Sequence, residues 1–264
     1  MLVPKSICMM NYFEPKSAAE RYALGRPYFH PQVIEQIKAH LALSDPLPSA
    51  LDLGCGTGLS TIALKAIAER IVGADYSANM IACAPRDPHI AYLVSPAEKL
   101  PLKAAIFDLI TVSSALHWLD HAAFFAEAQR VLRSQAWLIV YDNYFSGKMD
   151  ENTAYQSWSQ EYFLKKYPVP PRARFDLAEA DLKEAGFHLA CREEYQNRVE
   201  FSLATLVDYL VTQSNIIAAV EGGNQKIEDV RQWLAEGIRP FFGAQPEATF
   251  LFGGSIWYLR RITP

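Results

Sequence analysis

LDLGCGTGLS, residues 51–60, decides how this chain is read. It starts as an apolar strand, becomes a loop with three glycines, and runs on into TIALKAIAERI, where apolar residues recur at helical spacing. Strand, Gly-rich turn and helix N-terminus together make the usual cradle for a nucleotide-like ligand. Glycine lets the backbone approach such a ligand closely and take φ values that other residues resist. The loop alone leaves a dinucleotide, a phosphate and a nucleoside sulfonium all open.

The rest of the chain narrows the class. Its 264 residues suit one well-packed domain with a cap. Half are hydrophobic and 20% are charged, as in ordinary globular proteins. A formal net charge of −4 gives no overall attraction to nucleic acid. Cys8, Cys55, Cys83 and Cys191 are scattered without metal-ligand spacing, so no metal is expected and a reduced cytoplasmic setting is the simplest reading. The apolar start MLVPKSICMM is broken by Pro4 and Lys5 and is too short for a signal peptide, and no run reaches membrane-spanning length. A soluble protein, monomeric or homodimeric, is expected.

Outward from the loop, strand and helix patterns alternate. PQVIEQIKAHLAL precedes it as a helix with a proline at its start. RIVGADY, IAYLV, FDLITVSSA and AWLIVYD read as strands; Ser77 and Asp120 stand where helix N-caps are needed. Alternation at this interval predicts βαβ units and a parallel sheet covered on both faces, with ligands at the carboxyl ends of the strands. Past residue 145 the pattern changes. An aromatic, proline-broken stretch connects to the helix DLAEADLKEAG; HLACREEYQNRVEFS and ATFLFGGSIWYLRRI are late strands, and the glycine pair of the second suggests a bulge.

The dinucleotide fingerprint needs G-x-G-x-x-G, but Leu59 holds the third glycine position and the extra glycine, Gly58, comes one residue early. Asp75 closes the next strand about 20 residues on, the place of a carboxylate that hydrogen-bonds ribose hydroxyls in NAD and other adenosine ligands alike. D-L-G-C-G-T-G followed by that acidic residue resembles the class I S-adenosylmethionine (SAM) dependent methyltransferases. SPAEKLPL at 95–102, FDLITVSSALHWLD at 107–120 and the helix ending RVLR at 133 continue the resemblance. It is nearest to the small-molecule group that includes the trans-aconitate and ubiquinone/menaquinone biosynthesis methyltransferases, and it spans residues 50 to 142.

The resemblance implies a Rossmann-like, doubly wound, mostly parallel seven-stranded α/β sheet with an antiparallel last strand. It divides one domain into a lid and helix (1–45), a SAM-binding core (46–145) and an acceptor-side cap with the last two strands (146–264). Asp52, Gly54, Cys55, Gly56, Gly58 and Ser113 would lie along SAM, and Asp75 would hold the ribose. Tyr76 and Met80 would pack on adenine, with Ala97 or Glu98 contacting its edge, because Pro96 stands where the family often has an aspartate. Tyr22 and Arg26 resemble the N-terminal lid; Arg26 would pair with a carboxylate of SAM or of an acidic acceptor. Tyr12, Trp118, Tyr141 and Tyr144 would wall the acceptor, and His117 would face the methyl group as a general base or as a positioning residue. The expected reaction is O- or C-methylation of a small molecule, a carboxylate among the candidates, releasing S-adenosylhomocysteine. The alternatives are a nicotinamide-dependent oxidoreductase, which Leu59 disfavours, and a SAM-binding protein without catalysis.

Overall fold

The computed structural model describes residues 12–171 and 178–262. Cys8, the apolar start and the first residues of the DLAEADLKEAG helix lie outside them. Two helices lead in, α1 (Lys16–Gly25) and α2 (His30–His40), the second with its proline in the first turn as expected. The parallel half of the sheet then follows: β1 (Leu47–Leu53), β2 (Ala68–Asp75), β3 (Ile90–Val94), β4 (Phe107–Ser113) and β5 (Leu132–Tyr141). Between them run α3 (Leu59–Ala63), α4 (Ala78–Ala82) and α5 (His121–Val131). Ser77 caps α4 by accepting from Met80 N, and Asp120 caps α5 by accepting from Ala123 N.

α3 is shorter than the periodicity of TIALKAIAERI predicts. Ala68 is already paired with Leu47 in the sheet, and the Ile67 carbonyl accepts from Leu47 N at 2.8 Å. Sheet pairing therefore takes over the chain after a single 3₁₀ turn at Leu64–Ala66.

The sheet order is β3-β2-β1-β4-β5-β8-β6, with β7 (Phe187–Ser202) pairing β8 (Glu247–Arg261). Eight strands stand where seven were expected, the addition being β6 (Tyr144–Met149). It arises because β8 is long enough for two partners. Its C-terminal half pairs β5, from Ile256 opposite Tyr141, and its N-terminal half pairs β6, from Gly253 opposite Tyr144. The glycine pair marks that handover and not a bulge. Register with β7 is unbroken through Gly253 and Gly254. A Cβ at Gly254 would collide with the Asp142 carbonyl and the Tyr195 ring, and one at Gly253 would lie 3.0 Å from the Tyr144 hydroxyl. These glycines let chain and rings approach closely.

Alternation along the central strands feeds two cores. Leu51, Ile110, Leu138 and Val140 pack with Phe124, Phe125 and Ala128 of α5. Ala50, Leu109, Ile139 and Tyr258 pack on the other face with Val33, Ile34 and Ile37 of α2. A sheet buried on both faces needs such continuously apolar strands.

The cap has its own core. α6 (Thr153–Trp158) leads through a π turn into α7 (Leu164–Lys166); α8 (Glu179–Glu184), α9 (Leu203–Leu210), α10 (Ser214–Glu221) and α11 (Ile227–Phe242) follow. Leu206, Leu210, Ile216 and Leu234 gather there against Phe250 and Phe252 of β8. Among the described residues no single helix is long and apolar enough to cross a membrane.

Candidate active site

The glycine loop follows β1. Gly54, Gly56 and Gly58 all have positive φ (65°, 55° and 80°), and a Cβ at Gly58 would stand 2.5 Å from the Tyr92 hydroxyl. Beneath the loop Asp52 is fully buried. It accepts hydrogen bonds from Ser60 Oγ (2.6 Å), Thr61 Oγ1 (2.7 Å) and Thr111 Oγ1 (2.8 Å), joining β1, α3 and β4. Burial pushes its carboxyl up to about 6, against the pull of those three hydroxyls. With three donors on two sealed oxygens, Asp52 braces the loop from below. The Cys55 side chain is buried, its N–H donates to the Ala74 carbonyl (3.1 Å), and its carbonyl accepts from Gly58 N (2.9 Å).

Asp75 stands differently. Its two oxygens accept one backbone N–H each, from Gly56 (2.8 Å) and Ser77 (2.8 Å). Each carboxylate oxygen therefore keeps a lone pair for a further donor. Desolvation raises its pKa, opposed by those two hydrogen bonds. Next to it Tyr76 is 66% exposed while Met80 is buried against the loop, where a Cβ on Gly56 would lie 3.1 Å from its methyl. Ala97 is buried. Glu98 accepts from Asp120 N (3.0 Å), so it serves the start of α5.

The lead-in folds over this edge. Ser77 Oγ donates to the Phe13 carbonyl (3.0 Å) and Asn79 Nδ2 to the Glu14 carbonyl (2.7 Å). The Tyr12 and Phe13 rings lie 5.9 and 6.1 Å from that of Trp118. Trp118 thus packs against the lead-in. α1 behind it is fixed: the Arg21–Glu221 ion pair ties it to α10 at 2.6 Å, and Gly25 leaves no room for a Cβ against the α9 backbone.

A narrow cavity of about 50 Å³ remains above the loop, lined by Tyr22, Arg26, His30, Ser113, Asn143 and Tyr209 among others. The Arg26 guanidinium lies 4.5 Å over the Tyr22 ring and 5.4 Å over that of Tyr209, and donates to the Thr212 carbonyl at 3.0 Å. Among the described residues its buried Nε has no hydrogen-bond partner. His30 is buried, and Nδ1 lies 3.0 Å from the Tyr141 hydroxyl. Desolvation lowers its pKa to about 3, so the ring is neutral at any ordinary pH.

A second cavity, about 320 Å³, shares Ser114 with the first. His117, Tyr141 and Tyr144 line it, together with Asp142, Arg192 and Trp257. The residues assigned to the acceptor are therefore divided: His117, Tyr141 and Tyr144 face this second space, while Tyr12 and Trp118 pack on each other. His30, Asn143 and Tyr209 line the cavity over the loop, and the sequence reading did not single them out. Their one sequence signal is position: His30 stands beside the proline that opens α2, and Asn143 follows β5.

A loop of this shape, an acidic residue closing β2 and cavities at the carboxyl ends of β4 and β5 describe a nucleoside-ligand crevice, and comparison with known proteins agrees. Residues 51–140 match the methyltransferase domain family. Its core is that of a class I SAM-dependent methyltransferase. The chain is 34% identical over 129 residues to a demethylmenaquinone methyltransferase of Mycobacterium sp. (strain JLS), a match covering 48% of the chain and 54% of that enzyme. A Dictyostelium discoideum protein described as a methyltransferase is 26% identical over 84% of the chain and 85% of its own length. Among solved structures, one from Anaeromyxobacter dehalogenans described as a type II methyltransferase superposes with a TM-score of 0.69 at 22% identity, covering 90% of this chain and 99% of that one. The cofactor of this core is SAM. The site fits it: two ribose hydroxyls match the two spare acceptor positions of Asp75.

Proposed function

We propose that the protein transfers the methyl group of SAM to the oxygen or carbon of a small-molecule acceptor, a carboxylate being one candidate. The observation that carries this reading is the meeting of the two cavities at Ser114, where β4 ends between the glycine loop and the second space. SAM supplies an electrophilic methyl carbon on a sulfonium, so the chain needs to align and to exclude water. Residues 46–145 hold the cofactor in this reading, 1–45 close over it, and 146–264 furnish the acceptor side. Asp75 binds the ribose, the loop backbone lies along the methionine part, and Met80 and Ala97 border the adenine. Arg26 receives a carboxylate, since among the described residues no acidic group pairs with its guanidinium. Neutral His30 orients the acceptor, and His117 borders it from the second cavity. The setting proposed is the reduced cytoplasm, as a monomer or homodimer.

The test is release of S-adenosylhomocysteine from SAM across a panel of small carboxylic acids, phenols and enolisable ketones, with calorimetric titration of SAM alongside. Turnover with one chemical class supports the proposal. Tight SAM binding with no turnover of any class would leave a cofactor-binding protein and overturn it.

A further inference from the structure

We propose that His40, Cys191 and Glu193 form a site for one zinc-class divalent ion, on the α2 face of the sheet and apart from the cofactor crevice. The three contribute an imidazole nitrogen, a thiol sulfur and a carboxylate oxygen, all within 4.8 Å of one another. Cys191 and Glu193 are two apart on β7 and so share one face of the strand. His40 is the last residue of α2, packed against that face. No sequence spacing could reveal the site, because its nitrogen ligand lies far from the other two in the chain.

The geometry suits coordination. Zinc holds its ligands at about 2.0–2.3 Å in a tetrahedron, which sets neighbouring donors roughly 3.3–3.8 Å apart. His40 Nδ1 and Glu193 Oε1 already stand 3.1 Å apart. An outer layer orients both groups: the His40 ring stacks on Tyr258 (centroids 3.7 Å apart, planes 16° apart), and the Tyr258 hydroxyl donates to Glu193 Oε2 at 3.0 Å. Partners of this kind fix ligands in protein metal sites. All three ligands are half-buried, and Cys191 forms no disulfide. A thiolate with an imidazole and a carboxylate selects Zn²⁺, Co²⁺ or Ni²⁺ over Mg²⁺ and Ca²⁺, and leaves a fourth position for water. Binding releases the thiol proton and staples the C-terminus of α2 to β7. The other end of α2, about 15 Å away along an 11-residue helix, carries His30 into the cofactor cavity.

Co²⁺ added to the reduced, metal-free full chain tests this. One equivalent should produce a thiolate-to-cobalt charge-transfer band in the near ultraviolet, displaced by one equivalent of Zn²⁺. Cys191→Ser should abolish the band. His40→Ala and Glu193→Gln should weaken Zn²⁺ binding at least tenfold, and Tyr258→Phe, outside the ligand set, about 10-fold. Circular dichroism of each variant separates loss of a ligand from loss of fold. No band in the parent protein at one equivalent overturns the proposal without recourse to any variant. A band that persists in Cys191→Ser overturns it too, by placing the ion on another thiol.

Discussion

Asp75→Ala should cut the affinity for S-adenosylhomocysteine by two orders of magnitude or more while the protein stays folded. The carboxylate holds Gly56 N–H and Ser77 N–H at 2.8 Å each, and its remaining acceptor positions are assigned to the two ribose hydroxyls. A hydrogen bond to a charged acceptor contributes roughly 1.5–3 kcal/mol, so two of them are worth about 3–6 kcal/mol. Water can enter the shortened site and solvate the ribose, which favours the lower end, and about 3 kcal/mol is roughly a 150-fold rise in Kd. The alanine also strips Gly56 N–H of its partner, which loosens the loop and adds to the loss. Asp75→Asn separates these effects: its amide oxygen keeps one acceptor function but no charge, so it should fall between parent and alanine. Isothermal titration calorimetry on all three proteins gives the constants, and their melting temperatures show whether the fold has survived. A Kd for Asp75→Ala within about threefold of the parent, in a folded protein, would refute the ribose assignment.

Further outcomes follow from the same geometry. Asp52 has a folded pKa of about 6, above the unfolded value of about 3.9, so its contribution to stability is complete below pH 4 and is lost as pH rises through 6. Relative to Asp52→Asn, the parent should lose about 2 kcal/mol between pH 4 and 7 in urea unfolding series, and a pH-independent difference would show that the carboxyl is not desolvated. His30→Ala should raise the acceptor KM, with Gln restoring part of the loss. Because its ring stays neutral, the parent-to-variant ratio of kcat/KM should be flat from pH 5.5 to 8.5; a tenfold rise across that range would make His30 a general base instead. Residues 12–14 fold over the Asp75 edge through Ser77 and Asn79, and they are expected to lift as SAM enters. Hydrogen exchange at Phe13–Glu14 should slow on adding S-adenosylhomocysteine while α1 exchanges equally slowly with and without it; fast exchange throughout α1 would move the hinge to Arg26.

How much of this was legible in the sequence depended on how local its cause was. The loop, Asp75 and the caps Ser77 and Asp120 were readable, because left-handed backbone, a strand-end carboxylate and orphan helix N–H groups impose their residues within a few positions. Periodicity found every strand of the parallel half. It overran at α3, where pairing of Ala68 with Leu47 outcompeted a helical pattern that was equally good locally. β6 was missed for the same reason: its partner is the N-terminal half of β8, about a hundred residues on.

The acceptor side was the least legible part, and the cause is physical. Aromatic residues serve cores and pockets alike, so composition could not separate Trp118, which clamps the lead-in, from Tyr144, which lines a cavity. His117 drew attention through its place after β4, yet the histidine lining the cavity over the glycine loop is His30, brought there by α2 and held by Tyr141 from β5. Residues 30 and 141 meet only because α2 crosses the sheet and buries Val33, Ile34 and Ile37 beneath it. A buried neutral imidazole over the strand ends is thus a product of the α2 packing. Mutations in that apolar stripe, far from any ligand, should therefore raise the acceptor KM before they weaken SAM binding, since Asp75 and the glycine loop belong to β1 and β2. Ile37→Ala tests this: a core truncation of this kind costs roughly 2–5 kcal/mol of stability. In the fraction that stays folded, the loss should fall on the acceptor constant, with the Kd for S-adenosylhomocysteine changed less than threefold. Equal losses in both would mean that α2 supports the cofactor as much as the acceptor.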